Sequence, residues 1–311
     1  MSSPKLSIAA SGFGGRGYAD IFGVNDGKTL MSITTALGAE DKPGIRAWER
    51  QQIAAFAVTH IDEIASKDVE VGYRYLQAVP KFLTPQKHDE LPADLDLWNS
   101  AEYALNEAAE AGTWIHAYIE DYFNGGFPEE PIREDHYQMV EAFHLWESQH
   151  EIEVLSTERT VFGDGYAGTG DLTAIIDGVV TLGDAKTSRN IQSSHKAQLA
   201  AIGAALTSAR EVPEGTEGAI KHKLQPKVAE EYGGQESGWF VEEPIPDFQQ
   251  YAVIQVRPGE IGKYGEWIEP FCKMHVIPQR EIDAGFQLFT SLRDVRLAQK
   301  AMKDAEKESS K

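Results

Sequence analysis

The chain has 311 residues, of which 41% are hydrophobic and 25% charged, a composition typical of a soluble globular protein. The absence of a long apolar run and of a signal-peptide pattern predicts a cytoplasmic protein with no membrane partner. The single cysteine, Cys272, excludes an internal disulfide, a cysteine-rich zinc site and a four-cysteine iron–sulfur cluster. The net charge of −20 argues against broad, non-specific attraction to nucleic acid.

The N-terminal part, residues 1–97, is predicted to be irregular and helical. Its first 30 residues are rich in Gly and Ser, and apolar spacing predicts a helix from Ile45 to about Ile64. The stretch from Gly12 to Gly17 matches the pattern G-x-G-x-x-G. No clean helix and no acid on a second strand follow it, so we reject a dinucleotide site and interpret the stretch as a loop.

The central part, residues 98–278, changes from helical to strand periodicity near Glu153. Helices are predicted from Ser100 to about Phe123 and from Glu134 to about His150. The later elements are predicted as strands at about 153–163, 169–176 and 179–187, a helix from Ser193 or Ser194 to Ala209, and strands at 219–228 and 251–257. A charged helix fills the C-terminal part, residues 279–311. This order predicts an α/β fold with a mixed sheet flanked by helices.

Two aspartates are predicted to face each other across a β-hairpin. Asp177-Gly178 favours a two-residue type I′ turn between two β-rich runs. Counting outward from that turn places Asp171 opposite Asp184. Side chains directly opposite lie roughly 5 Å apart, and like charges repel there. We therefore expect a divalent cation between them, because carboxylate oxygens are hard ligands.

Basic residues follow this acid pair. Lys186 has the strand parity of Asp184, so its ammonium should point to the same side. Two acids and a lysine on one face are suited to metal-assisted hydrolysis of a phosphodiester. Residues 185–227 contain seven Lys or Arg residues and three acids. This basic strip predicts contact with a phosphate backbone, unless it is a chance fluctuation of charge.

The motifs and their order resemble the RecB-like, phage-type exonuclease branch of the PD-(D/E)XK nuclease superfamily. Residues 112–116 match its helix motif Gly-x-x-x-His, and Glu158 occupies the position of the acid on the first core strand. Residues 168–171 and 184–186 match the Gly-x-x-Asp and Asp/Glu-x-Lys strand motifs. Gln198 begins the last motif, Gln-x-x-x-Tyr, in which this chain has isoleucine instead of tyrosine.

The resemblance implies a restriction-endonuclease-like fold and a metal-dependent DNA exonuclease that uses Mg²⁺ or Mn²⁺. Asp171 and Asp184 would bind the metal through side-chain oxygens, and the carbonyl of Ala185 would complete that side. The resemblance further implies that His116 adds a nitrogen ligand. Because imidazole suits Mn²⁺ better than Mg²⁺, we expect stronger activity with Mn²⁺.

Further roles concern the reacting water and the substrate. Lys186 would position the attacking water, lower its pKa or stabilise charge on the phosphate. Glu158 would hold a second-shell water or a second metal. Gln198 would contact a substrate phosphate or orient Lys186. Arg189 and Lys196, in the basic strip, are predicted to bind DNA with Gln198.

Two other functions remain open at this point. The same fold could serve as a DNA-binding or partner-binding subunit with weak or absent cleavage, or the same acids could hydrolyse small nucleotides. The expected partner is DNA in the cytoplasm of a bacterial host if the chain is phage-encoded, and a homo-oligomer or a phage recombination partner remains open. Two polar clusters, residues 87–90 and 134–136, resemble metal ligands less specifically, and Cys272 is interpreted as a packing residue.

Overall fold

The computed structural model describes residues 4–8, 13–40, 46, 48–54, 100–262 and 265–309. The chain divides into two compact units, residues 1–40 with 114–311 and residues 41–113. In the second unit residues 48–54 are helical, within the predicted Ile45 helix, whose remainder falls largely outside the described residues. The predicted cluster at residues 87–90 also lies outside them.

A mixed β-sheet forms the centre of the first unit. Its strands are β1 (Ser7–Ile8), β2 (Gly17–Tyr18), β3 (Leu30–Ser32), β4 (Ile152–Gly163), β5 (Tyr166–Ile176), β6 (Val179–Lys186), β7 (Thr207–Val212), β8 (Ile220–Lys223), β9 (Ser237–Glu243), β10 (Gln250–Arg257) and β13 (Phe271–Val276), with β11 (Glu260–Ile261) and β12 (Trp267–Ile268) in a separate two-stranded sheet. Neighbouring strands follow the order β1-β2-β3-β5-β4-β7-β9-β8, and β6, β10 and β13 extend the sheet from β5. The pairs β3–β5 and β6–β10 are parallel and the other pairs are antiparallel, so the predicted mixed α/β architecture is confirmed.

Helices pack on both faces of this sheet. Leu182 of β6 belongs to a core that includes Ile202 and Phe289, whereas Ala185, on the opposite strand parity, lines a cavity with Ile119 and Phe143. The described helices are α1 (Ile33–Leu37), α2 (Ser100–Phe123), α3 (Glu134–Glu147), α4 (Ser193–Gly203), α5 (Pro226–Glu231) and α6 (Gln279–Ser309). The sheet separates α4 and α6 from α3 and the end of α2.

Two element predictions after the hairpin were wrong. The helix predicted to reach Ala209 ends at Gly203, because the chain turns there and enters β7 at Thr207. The strand predicted over residues 219–228 is the short β8 followed by α5, whose first turn contains Pro226, a residue suited to that position. None of the described helices combines the length and the apolar character needed to cross a membrane.

Candidate metal centre

The hairpin between β5 and β6 has the predicted turn and register. Asp177 and Gly178 have φ angles of 50° and 81°, and a type I′ turn requires positive φ at both central residues. The paired residues run from Ile176 opposite Val179 to Leu172 opposite Gly183. The pairing ends there, and Asp171 and Asp184 are the next residue on each strand, the position at which the sequence predicts that they face each other.

Lys186 lies on the same side as both aspartates. Its Nζ is 2.6 Å from Oδ2 of Asp184 and 4.0 Å from Oδ2 of Asp171. Asp184 has only 1% of its side-chain surface exposed, and the other two side chains are mostly buried. The like charges are therefore held together beside one ammonium group, away from most of the solvent.

His116 and Glu158 complete a compact group of potential ligands. His116, on α2, places Nδ1 3.4 Å from Oδ2 of Asp171. The group offers one ligand atom from each of His116, Glu158 and Asp171, and these three atoms all lie within 4.8 Å of one another. This group differs from the expected ligand set, because Glu158 belongs to it and the carboxylate of Asp184 instead contacts Lys186.

Glu158 reaches this group through an irregularity in β4. Its φ of 42° lies in the left-handed region, which costs a non-glycine residue about 1–3 kcal/mol. Thr157 pairs with Leu172 and Arg159 with Gly170, so Glu158 lies beside Asp171 across the strands. The strained backbone thus occurs at the position where two carboxylates approach each other.

The alternation of β5 side chains between the two faces of the sheet is also broken at this position. A Cβ at Gly170 would meet Ile202 of α4, whereas Leu172 lines the cavity on the opposite side of the sheet. In a regular strand these two positions would share a face. The break in alternation lets Asp171 and Leu172 line the same cavity.

The backbone of Ala185 takes part in the centre. Its N–H donates a hydrogen bond of 3.1 Å to Oδ2 of Asp171. Burial and the nearby Lys186 lower the pKa of His116 to about 4, although Asp184 and a hydrogen bond to the Ala185 backbone act in the opposite direction. The imidazole is therefore neutral near pH 7, the state in which it can coordinate a metal.

The pKa values of two carboxyl groups, those of Glu158 and Asp184, are raised. Burial, with the charges of Asp171 and Glu120, raises the pKa of Glu158 to about 9. Burial also raises the pKa of Asp184 to about 6, and Asp171 adds to the shift, although Lys186 opposes it. Burial lowers the pKa of Lys186, but Asp184 and Asp171 together outweigh it and the net shift is upward. Lys186 consequently stays charged.

Glu120 is a residue that the sequence reasoning missed. It lies one helical turn after His116 and lines the same cavity as His116, Glu158 and Asp171. Burial raises its pKa, and the charges of Asp121 and Asp171 add to the shift. The spacing of four residues from His116 could have identified it, because such residues share a helix face.

The donor set fits a divalent cation. The carboxylates supply hard oxygens, and the neutral imidazole adds a nitrogen suited to Mn²⁺. The Oδ1 atom of Asp184 is buried and has no hydrogen-bond partner in the described part of the chain. A buried oxygen without a hydrogen-bond partner, next to several carboxylates, is expected where a cation would be its partner.

The predicted substrate contacts lie elsewhere. Arg189 forms an ion pair with Glu260 at 3.0 Å, and Lys196 forms one with Glu281 at 2.6 Å. Gln198 is half-buried on α4 and is not among the residues that line the cavity. The roles of all three in binding DNA stay predictions.

The less specific candidates have structural explanations. His136 is buried and stacks on Trp114 with ring centroids 4.0 Å apart. Burial raises the pKa of Cys272 to about 12, so its thiol is not activated as a nucleophile.

Comparison with known proteins identifies no relative, because no protein-family model matches the chain and no curated protein shows significant similarity to it. The function is therefore inferred from the chemistry of the centre.

Proposed function

We propose that this chain is a metal-dependent nuclease with a restriction-endonuclease-like core, and that it hydrolyses DNA from an end. The observation that carries the proposal is a cavity lined by one imidazole and three carboxylates, with a charged lysine 4.0 Å from one of them, Asp171. The order of these residues along the chain, and the hairpin that presents two of them, match the resemblance drawn from the sequence.

The proposed cation would be held by His116, Glu158 and Asp171, with Asp184 and the Ala185 carbonyl as further ligands. A divalent cation bound there supplies a Lewis acid that polarises a phosphodiester and favours ionisation of water. The apolar walls of the cavity, which include Ile119, Phe123 and Leu172, exclude bulk water and strengthen these electrostatic interactions. We expect Mg²⁺ or Mn²⁺, with Mn²⁺ more active.

Lys186 would act as a charged hydrogen-bond donor in this reaction. Its raised pKa, after the opposing effect of burial, keeps the amine protonated at neutral pH, so it is not a general base. The ammonium can instead donate to a phosphate oxygen as negative charge develops there. Asp184, 2.6 Å away, fixes the position of that ammonium.

Incubation with end-labelled single-stranded and double-stranded DNA and Mn²⁺ tests the proposal. Progressive loss from one end is expected, with no loss when EDTA replaces the metal. Binding without cleavage would indicate a binding subunit, and turnover of nucleotides without attack on polymers would indicate a small-nucleotide hydrolase. Either result would contradict the proposed function.

Two variants distinguish the role of the candidate centre from the general effect of losing a lysine. Lys186→Ala should abolish cleavage, whereas Lys303→Ala, at an exposed lysine of α6 with no predicted role in the site, should leave cleavage unchanged. Equal activity of wild type and Lys186→Ala would refute the assignment of the centre.

A further inference from the structure

A positively charged surface lies on the opposite sheet face from the cavity, across strands β4, β7, β9 and β8. Its strand residues carry four cations and one carboxylate, that of Glu243, although the whole chain has a net charge of −20. We call it the basic sheet surface and define it as Arg159, Arg210, Lys221, Lys223 and the indole of Trp239.

The strand register places these side chains on one face. Lys221 is directly opposite Trp239 on β9, and its Nζ lies 5.4 Å from the centre of a Trp239 ring. Val212 of β7 is opposite Trp239 on the other side, so Arg210, two residues earlier, points to the same face. Lys223 has the same parity as Lys221. The neighbouring Phe240 points the other way, into a hydrophobic core.

Glu243 connects the two arginines but leaves the lysines without an acid. Arg159 Nη1 is 3.0 Å from Glu243 Oε2, and Arg210 Nε is 2.5 Å from Oε1. Lys221 and Lys223 are exposed, and neither has an ion-pair partner among the residues that the structure describes. The arginines are thus partly neutralised, whereas the lysines keep their full charge for a ligand.

The surface begins next to the candidate metal centre. Glu158 lines the cavity, and the next residue, Arg159, belongs to the basic sheet surface on the other face of β4. Pairing between β4 and β7 extends only from Thr160 to Phe162, so the edge of β4 at residues 158–159 is not covered by β7. From β4 to β8 the sheet spans three strand spacings, roughly 14 Å.

We propose that a nucleic-acid strand bound at the cavity crosses this edge of β4 and continues over the basic sheet surface. This inference rests on the proposed function and names the surface that binds the rest of the polymer. The lysines and Arg210 bind backbone phosphates, and an unpaired base stacks on Trp239 in competition with the Lys221 ammonium. A sheet face with spaced cations and one aromatic ring suits a single strand.

The test compares two variants with equal changes in charge. One carries Arg210→Gln, Lys221→Gln and Lys223→Gln. The control carries glutamine at three exposed lysines away from this surface, which are Lys273, Lys303 and Lys307. Fluorescence anisotropy measures binding of labelled single strands of about 4 and about 20 nucleotides with Mn²⁺ at several salt concentrations. The background is Lys186→Ala, which prevents cleavage.

For the long strand, we expect the surface variant to bind at least tenfold more weakly. The slope of log affinity against log salt should fall in magnitude by about 2, because each lost phosphate contact on a single strand contributes about 0.7. The short strand should show little change, and the control variant should behave as the background. Mn²⁺ affinity, measured by calorimetry, should be the same in all three and reports that the cavity is intact.

An alternative role for the lysines is to prevent edge-to-edge pairing of β8. Self-association of the surface variant with an unchanged salt slope would overturn the proposal in favour of that role. A paired variant, Lys221→Arg with Lys223→Arg, preserves the charge and should preserve the slope. If the wild type cleaves DNA but the slopes do not differ, only this inference fails. If the wild type neither binds nor cleaves DNA with Mn²⁺, the proposed function fails with it.

Discussion

The raised pKa of Glu158 makes a specific prediction about stability without metal. Burial holds the pKa of this carboxyl at about 9 in the folded protein, against an ordinary value of 4.5. Between these two values the folded state binds more protons than the unfolded state. The free energy of unfolding must therefore fall as pH rises through this window. Glu158→Gln removes the titrating group and should remove this part of the pH dependence.

The magnitude follows from linkage. A group that is protonated when folded and ionised when unfolded changes stability by at most about 1.4 kcal/mol per pH unit. Between about pH 5 and about pH 7.5 the wild type should thus lose up to about 3 kcal/mol relative to Glu158→Gln. Urea unfolding in EDTA at several pH values measures the difference between the two proteins. Titration of groups that do not interact with Glu158 cancels in that difference.

Bound metal should reverse this order of stability and make the wild type more stable than Glu158→Gln. A ligand that binds only the folded state adds about 2.7 kcal/mol at a concentration one hundred times its dissociation constant. The wild type should gain this stabilisation with Mn²⁺, whereas Glu158→Gln should gain less because it lacks a ligand. The control is Glu153→Gln, a change at an exposed acid on the same strand. Parallel stability curves for wild type and Glu158→Gln would refute both the buried proton and the ligand role.

Three further outcomes are expected. Asp184→Asn and Lys186→Ala should each lower DNA cleavage at least a hundredfold with a native circular-dichroism spectrum, and retained cleavage in either would contradict the proposed site. Glu120→Gln should weaken Mn²⁺ binding by about tenfold in calorimetry, the effect typical of an outer partner of a metal ligand, and unchanged affinity would remove Glu120 from the centre. Gly178→Val should destabilise the protein by about 1–2 kcal/mol in urea unfolding, because φ is 81° there, whereas an unchanged midpoint would show that the turn tolerates a side chain.

The hairpin was predictable because its determinants are local. Asp177 and Gly178 are residues that tolerate positive φ, and a two-residue turn fixes the register of everything that follows. The opposition of Asp171 and Asp184, and the side on which Lys186 lies, follow from that register by counting. The α2 helix was predictable for a similar reason, since a helical stripe of small and apolar residues persists from Ser100 to Phe123.

Other features depend on tertiary structure and carried no local pattern. The left-handed φ of Glu158 conflicts with the preference of a glutamate in a strand, so no sequence rule predicts it. The early end of α4 conflicts with its high alanine content, and pairing of β7 with β4 and β9 overrides that helix propensity. Competition from a neighbouring strand cannot be read from the segment alone.

The ion pairs also changed the interpretation of the basic strip. In sequence its seven cations were counted together as one basic strip, but the fold distributes them among different environments. Lys186 lies in the centre, and Arg189 and Lys196 contact acids, whereas Lys221 and Lys223 remain exposed without ion-pair partners in the described part of the chain. Charge counting along a sequence therefore overstated the number of cations free to meet a phosphate.

Under the proposed function, the acidic chain and its polyanionic substrate need a counter-charge at the cavity. Glu120, Glu158 and Asp171 line the cavity, and Asp184 lies beside it against one charged lysine. A phosphate approaching the metal-free centre therefore meets net repulsion wherever these acids are ionised. Protonation of Glu158 and Asp184 lowers that repulsion without metal, and a bound cation would replace those protons. DNA affinity at the cavity and Mn²⁺ affinity should consequently rise together, because each ligand supplies the charge that the other needs. A protein that bound short single strands equally well in EDTA and in Mn²⁺ would be inconsistent with this coupling.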